Sequence, residues 1–227
     1  MVFSYITLFP DIIKNFWSVG ILQKALKEKI LDFFTVDLRE YGEGPHKKVD
    51  DYPYSGGPGM VLRADVVGNA IIQALKKAPF AKVVVLSASG IPFTQRLAHV
   101  MAEERGLVFV CGRYEGLDER ITQIFAHYEL SLGKFVMMGG ELASLVITEV
   151  VARLIPGVLG NRESLENESF EGSNLLEAGQ YTKPRVYLGL SVPDALLSGN
   201  HKQIEKFKKE AATEKLNRLI KNPQNHL

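Results

Sequence analysis

Three glycine-bearing stretches carry the residues best placed to do chemistry: Leu86-Ser-Ala-Ser-Gly90, Cys111-Gly-Arg-Tyr-Glu-Gly116 and Ser131-Leu-Gly-Lys-Phe-Val-Met-Met-Gly-Gly-Glu141. Each follows or continues an apolar run. Glycine at the end of such a run lets the backbone approach a ligand closely, and N–H and C=O groups left out of a ladder can read the edge of a base. Singly, each stretch is equally an ordinary strand-to-helix turn. Their occurrence after three separate strands points to one shared site.

Other cofactor and catalytic signatures are missing. No Gly-x-Gly-x-x-Gly follows an apolar run, no Gly-x-x-x-x-Gly-Lys-Ser/Thr occurs, and no Gly-x-Ser-x-Gly marks a nucleophile. There is no His-Glu-x-x-His, the five histidines are scattered, and a single cysteine cannot form a zinc-binding pair. A ligand is therefore held here by neither a P-loop nor a dinucleotide fingerprint, and the expected metal site is none.

The elements that must position the three stretches read as alternating strands and helices. Strands are predicted at Phe3–Leu8, Phe33–Leu38, Lys82–Leu86, Leu107–Cys111 and Tyr128–Leu132. The run Lys82-Val-Val-Val-Leu86 is of the kind covered on both faces. Helical spacing predicts an amphipathic stretch from Pro10 to near Lys29, then helices at Asp65–Lys77, Thr94–Glu104, Asp118–Phe125 and Leu142–Leu154. A polar, Gly/Pro-rich loop spans Glu40–Gly59. Such alternation predicts an α/β fold: a mostly parallel sheet with helices on both faces, which gathers ligands beyond the carboxyl ends of its strands.

After Pro156-Gly157 the character changes. Asn161–Gly172 is polar, acidic and without apolar periodicity, and from about Ser191 the chain turns helical and Lys-rich. We expect an α/β domain over 1–160, a linker over 161–172 and a small helical C-terminal domain over 173–227. Between His201 and Lys221 seven basic residues face three acidic ones, a pattern that suits a solvated helix face or a nucleic-acid contact. The whole chain does not choose between them, because 27 Lys+Arg against 26 Asp+Glu leaves a net charge of +1. With 227 residues, 46% of them hydrophobic, a sizeable core needs no disulfide, and the lone Cys111 could not form one within the chain. No stretch reaches the roughly 18 apolar residues of a membrane span, and the first residues lack a basic, then apolar, leader. The expected location is the cytoplasm.

Five segments carry a resemblance: Val49-Asp-Asp-Tyr-Pro-Tyr-Ser-Gly-Gly-Pro-Gly-Met60, Cys111 to Arg120, Ser131 to Leu142, Val151 to Gly160, and Gln180-Tyr-Thr-Lys-Pro184. In this order and spacing the chain resembles, over nearly its whole length, the bacterial tRNA (guanine-N1) methyltransferases that act on guanine 37, next to the anticodon. These belong to the SPOUT superfamily, whose members thread a deep trefoil knot, a rare exception to the rule against threaded loops.

The resemblance implies a function and its residues. S-adenosyl-L-methionine would be the methyl donor, held by Leu86, Ser87, Gly112 and Glu115 on the first two stretches. On the third it would meet Ser131, Leu132, Gly133, Lys134, Phe135, Val136, Met137, Gly139 and Gly140. Tyr54, Ser55, Gly56, Gly57, Pro58 and Gly59 match the family's loop near the target base. Guanine N1 must lose its proton as it attacks, which calls for a carboxylate base, and charge arising on O6 is best met by a guanidinium. The family takes the base from the interdomain segment and the arginine from the long helix, positions matched by Glu168 and Arg153. The sequence departs from the family at that base, reading Glu168-Ser169-Phe170 where Asp-Ser-Phe is usual. The extra methylene moves the carboxylate by about 1.5 Å, a misplacement that costs on the order of 10²-fold in rate unless the loop adjusts. Glu163, Glu166 and Glu171 stand close enough in sequence to compete. Lys134, where the family often has aspartate, and Met138, where it often has threonine, are smaller departures.

The resemblance further implies a homodimer with shared active sites, the anticodon stem-loop of tRNA as partner rather than DNA or a membrane, and assistance by Mg2+, for which no dedicated carboxylate cage is visible. Alternatives are a SPOUT enzyme acting on another RNA nucleotide and a non-catalytic RNA-binding module. An NAD enzyme rests on the α/β pattern alone.

Overall fold

The computed structural model describes residues 1–160, 169–170 and 176–221. The chain divides into two compact units, Met1–Gly160 and Asn161–Leu227.

In the first unit, strand β1 (Val2–Thr7) leads into α1 (Pro10–Trp17), with Pro10 at the helix start where its missing N–H costs nothing. Helix α2 (Gly20–Lys27) follows at once. The single amphipathic stretch expected here is broken at the junction, where Val19 is extended and Gly20 takes a φ of +64°. Strand β2 (Asp32–Asp37) ends in a short 3-10 turn capped by the Asp37 carboxylate. The expected polar loop carries β3 (Asp50–Asp51), which pairs antiparallel with β4 (Val61–Leu62) just beyond the loop. Then come α3 (Ala64–Lys77), β5 (Lys82–Pro92), α4 (Gln95–Ala102), β6 (Gly106–Val110), α5 (Glu119–Phe125), β7 (Tyr128–Ser131) and α6 (Gly140–Ala152). Side-chain caps begin two of these helices: Thr94 Oγ1 accepts from the Leu97 N–H at 3.3 Å, and the Asp118 carboxylate from the Arg120 N–H at 3.0 Å.

The main sheet has the order β2-β1-β6-β5-β7, and every pair is parallel. Alternating side chains bury on both of its faces, as the period of two requires. Phe3, Tyr5, Val84, Leu107, Phe109 and Leu130 pack with α1, α2, α4 and α6. Ile6, Val83, Val85, Val108 and Val110 pack on the other side with α3 and α5. The expected α/β architecture is the one observed.

In the second unit, β8 (Val186–Tyr187) and β9 (Leu190–Ser191) form a hairpin. Its two turn residues, Leu188 and Gly189, both have positive φ, the requirement of a tight hairpin that matches strand twist. Two helices follow, α7 (Asp194–Leu197) and α8 (His201–Lys221). Among the described residues no helix is long and apolar enough to cross a membrane.

Candidate active site

Strands β6, β5 and β7 lie side by side, so the three glycine-bearing stretches emerge from one end of the sheet. The first is a departure from the ladder itself. The pairing of β5 with β7 slips between Leu86 and Ile91, and the skipped residues bulge outward. Ser87 and Ser89 hydroxyls lie 2.7 Å apart there, and Ser89 Oγ donates to Glu129 at 3.1 Å. A Cβ at Gly90 would lie 2.6 Å from Leu130 backbone atoms, so glycine alone allows the chain to return to β7.

The second stretch leaves β6 after Cys111, whose N–H still bonds to Ile6 O at 3.0 Å. It turns through Tyr114 (φ +60°) and Gly116 (φ +115°). Positive φ in a bulky aromatic residue is uncommon and marks a conformation that surrounding contacts enforce. Those contacts come from β4 and the loop before it. Glu115 N–H donates to Met60 O at 3.0 Å, Leu62 N–H to Gly116 O at 3.0 Å, and Asp118 N–H to Leu62 O at 3.1 Å.

The third stretch begins with the Ser131 hydroxyl tied to both backbone groups of Gly133, at 3.1 and 3.2 Å. It ends where Gly140 N–H donates to Gly112 O at 2.9 Å. A Cβ on Gly140 would stand 2.9 Å from Cys111 Cα and 3.0 Å from Gly112 N. The second and third loops can touch only because residue 140 has no side chain.

Together the three stretches enclose a cavity of about 460 Å³, within the usual range for small-molecule sites. Of the residues implied as cofactor-binding, Leu86, Ser87, Gly112, Glu115, Ser131, Leu132, Gly133, Phe135, Val136, Met137, Gly139 and Gly140 line it, while Lys134 does not. Its walls offer backbone donors and acceptors, apolar side chains and three carboxylates, Glu115, Glu119 and Glu129. A planar heterocycle carried on a cationic group fits that lining: glycines admit the ring closely, leucine and valine side chains cover its faces, and carboxylates complement the charge. Among the described residues no group of three or more His, Cys, Asp and Glu comes together to hold a metal ion.

Several lining residues escaped the sequence reading: Arg113, Tyr114, Glu119, Thr122, Glu129 and Ala143. Glu119 and Thr122, three apart on α5, present one helix face to the cavity, a spacing legible in principle. Arg113 could not have been assigned, because its main partner is remote. Its Nε and Nη2 both donate to Glu141 Oε2 at 2.8 Å, and its guanidinium lies 4.5 Å from the Phe9 ring centre. Glu141 is 1% exposed and takes a further bond from Thr7 Oγ1 at 2.7 Å. Burial, reinforced by the Glu141 charge, pushes the neighbouring Cys111 thiol well above its ordinary range. Cys111 is thus a packing residue rather than a nucleophile.

The stretch matching the family's target-base loop, Tyr54 to Gly59, does not line the cavity but abuts it. Gly56, Gly57 and Gly59 all have positive φ, and a side chain at Gly59 would collide with that of Glu115. Arg153 is the C-cap of α6. At 1.5 Å per residue it lies about 15 Å along the helix from Ala143, and it does not line the cavity. Glu168, and its competitors Glu163, Glu166 and Glu171, lie outside the described residues.

Known proteins can be set beside this geometry. Residues 1–222 match the family model described as tRNA (Guanine-1)-methyltransferase TrmD. Similar curated proteins, each titled tRNA (guanine-N(1)-)-methyltransferase, include one from Anaplasma phagocytophilum (strain HZ), 42% identical over 93% of this chain and 90% of its own. Another is from Staphylococcus epidermidis (strain RP62A), 42% identical over 92% of this chain and 85% of its own. A third, from Geobacillus kaustophilus (strain HTA426), is 44% identical over 90% of this chain and 84% of its own. A match of this extent, on a chain whose three glycine loops close around one cavity, places the protein: it belongs to the tRNA (Guanine-1)-methyltransferase TrmD family.

Proposed function

We propose that this protein transfers a methyl group from S-adenosyl-L-methionine to N1 of guanine 37 in tRNA. The observation that carries the proposal is the convergence of three loops from separate strands on one cavity, in a chain of this family. When bound, the cofactor supplies an electrophilic methyl on a sulfonium that is already a good leaving group. The chain's own task is then placement and proton management. Backbone groups at Leu86, Gly112, Leu132 and Gly139 would hold the adenine edge, with Phe135, Val136 and Met137 excluding water. The carboxylates of Glu115, Glu119 and Glu129 favour a cationic ligand in the cavity they line.

The loop from Tyr54 to Gly59 stands beside Glu115 and is the surface we assign to the target nucleotide. Guanine 37 must leave its stack to reach the cavity, at a cost of a few kcal/mol that is least in a single-stranded loop. Glu168 would take the N1 proton as the new bond forms, and Arg153 would meet the charge developing on O6. Within one chain Arg153 and the cavity lie at opposite ends of α6, which supports a site shared between two copies. The exposed apolar side chains Leu142 and Val146, one turn apart on α6, offer a surface for that second copy. We infer the knotted topology as well, supported by the close approach of Gly140 to the Cys111-Gly112 backbone. The basic residues of α8 would contact tRNA phosphates.

The test is methyl transfer to unmodified transcripts. Labelled methyl from S-adenosyl-L-methionine is expected to enter a transcript with G37 preceded by G36, and a G37→A transcript is expected to stay unlabelled. In single turnover, Glu168→Gln is expected to slow the reaction by about 10²-fold or more with little change in cofactor affinity. Equal labelling of both transcripts would refute the guanine assignment, and an undiminished rate in the variant would refute the base.

A further inference from the structure

Arg113, a cationic side chain of the cavity wall, directs its guanidinium nitrogens at the protein itself. Arg113 lines the cavity, yet two of its nitrogens converge on Glu141 at 2.8 Å and its third points to Met138 O at 3.4 Å. Its partner is a nearly fully buried carboxylate in the first turn of α6, a position where a negative charge is favoured by the helix. Glu141 Oε1 is engaged by Thr7, whose hydroxyl also accepts from the Phe9 N–H at 2.9 Å. The pair therefore joins the end of β1, the loop after β6 and the final limb of the loop after β7. That last loop needs such an anchor. Val136 and Met138 are more than nine-tenths exposed, so its outer part has little packing to fix it. It is held at one root by the Ser131 hydroxyl and at the other by Arg113, through Met138 O and the backbone bridge of Arg113 with Gly139.

A buried ion pair is commonly no more stable than well-packed apolar side chains of similar volume, so stability alone does not account for one at this point. We propose that Arg113 and Glu141 are a positioning pair: they hold the Met137–Gly139 limb against the Gly112–Arg113 backbone and so set the shape of the cofactor cavity. This rests on the assignment of that cavity to S-adenosyl-L-methionine. Neither residue takes part in proton transfer, and their effect falls on cofactor affinity rather than on the chemical step. Lysine at 113 keeps the charge but loses the planar fork that reaches Glu141 and Met138 together.

Direct titration of the full-length protein with S-adenosyl-L-methionine, together with steady-state methylation, tests the pair. Arg113→Lys and Glu141→Gln are each expected to raise the cofactor Kd and KM by about tenfold or more, leaving kcat at saturating cofactor within about threefold and the KM for tRNA unchanged. The double variant is expected to bind no worse than the weaker single one, since both remove the same contact. Unchanged cofactor affinity in both variants overturns the proposal, as does a fall in kcat with constant KM. If both variants fail to fold by circular dichroism, the pair is a strut for the whole unit and the proposal is also overturned. A wild-type protein that does not bind the cofactor would instead overturn the assignment of the cavity.

Discussion

Cys111 illustrates how one residue's surroundings fix what it cannot do. It directly follows β6 and precedes the cavity-lining Gly112, buried, with Ser144 Oγ 3.7 Å from its sulfur and the Glu141 carboxylate close by. Burial and that charge both favour the neutral thiol, so its folded-state pKa lies well above that of an exposed cysteine. The consequence for stability has a definite sign. Above about pH 8.5 the unfolded chain releases the thiol proton while the folded chain keeps it. The unfolded state then binds fewer protons, and stability falls as pH rises, by about 1.4 kcal/mol per unit. Urea unfolding is expected to show the wild type losing about 2 kcal/mol more than Cys111→Ala between pH 8 and pH 10. Parallel pH profiles for the two proteins would contradict the assignment. The sequence placed Cys111 at a strand end beside a glycine turn but carried no sign of this environment. Glu141 and Arg113 lie 30 and 2 positions away in sequence, and only the closing of α6 onto β6 brings the carboxylate to the thiol. Arg113 was hidden for the same reason, whereas the glycines around it were legible because their demand is local.

Strands and helices were largely readable as elements because their signal is periodic. Val83 and Val85 face one side of the sheet and Val84 the other, as a continuous apolar run covered on both faces requires. Two features were not readable. Amphipathic spacing continues from α1 into α2, so the break at Gly20 is a backbone event that the pattern does not register. The continuation of β5 to Pro92 after a bulge depends on pairing with β7, a neighbour fixed by topology rather than by local sequence. The element-scale test of the site is the entry to α6. Gly140→Ala places a methyl group against Cys111 Cα and Gly112 N, backbone atoms that no side-chain rotation can move aside. Overpacking of this kind costs about 1–3 kcal/mol. The melting midpoint is expected to fall by about 2–4 °C for each kcal/mol in a chain of this size. Because the displaced groups are the cavity's own roots, cofactor affinity is expected to fall by about tenfold or more, beyond what a uniform loss of stability produces. Calorimetric titration of the folded variant at low temperature separates the two effects. Affinity equal to wild type would mean that the approach of the two loops is not what shapes the cavity.

At the scale of the whole molecule, the governing fact is where α6 begins and ends. Its first residues close the cavity, and Arg153 caps its far end about 15 Å beyond the lining. An arginine side chain cannot cover that distance along its own helix, so the proposed reaction, which uses both ends, is expected to draw them from different copies of the chain. Complementation follows from this geometry. Gly140→Ala damages the cavity of the chain that carries it and leaves Arg153 intact, while Arg153→Ala does the reverse. Assayed at cofactor concentrations well below the wild-type Kd, Gly140→Ala alone is expected to keep about a tenth of wild-type activity or less, and Arg153→Ala alone to be nearly inactive. In a dimer of one chain of each kind, one site combines an undamaged cavity with an undamaged arginine, and the other site lacks both. If the chains assort at random, about half the dimers are mixed and have one working site of two, so equal mixing restores about a quarter of wild-type activity. Subunits must be exchanged by co-expression or by unfolding and refolding together, since mixing preformed dimers would not test the point. Activity no greater than the sum of the two parent variants would mean that the arginine and the cavity do not meet across an interface, and Arg153 would lose its assigned role at guanine O6.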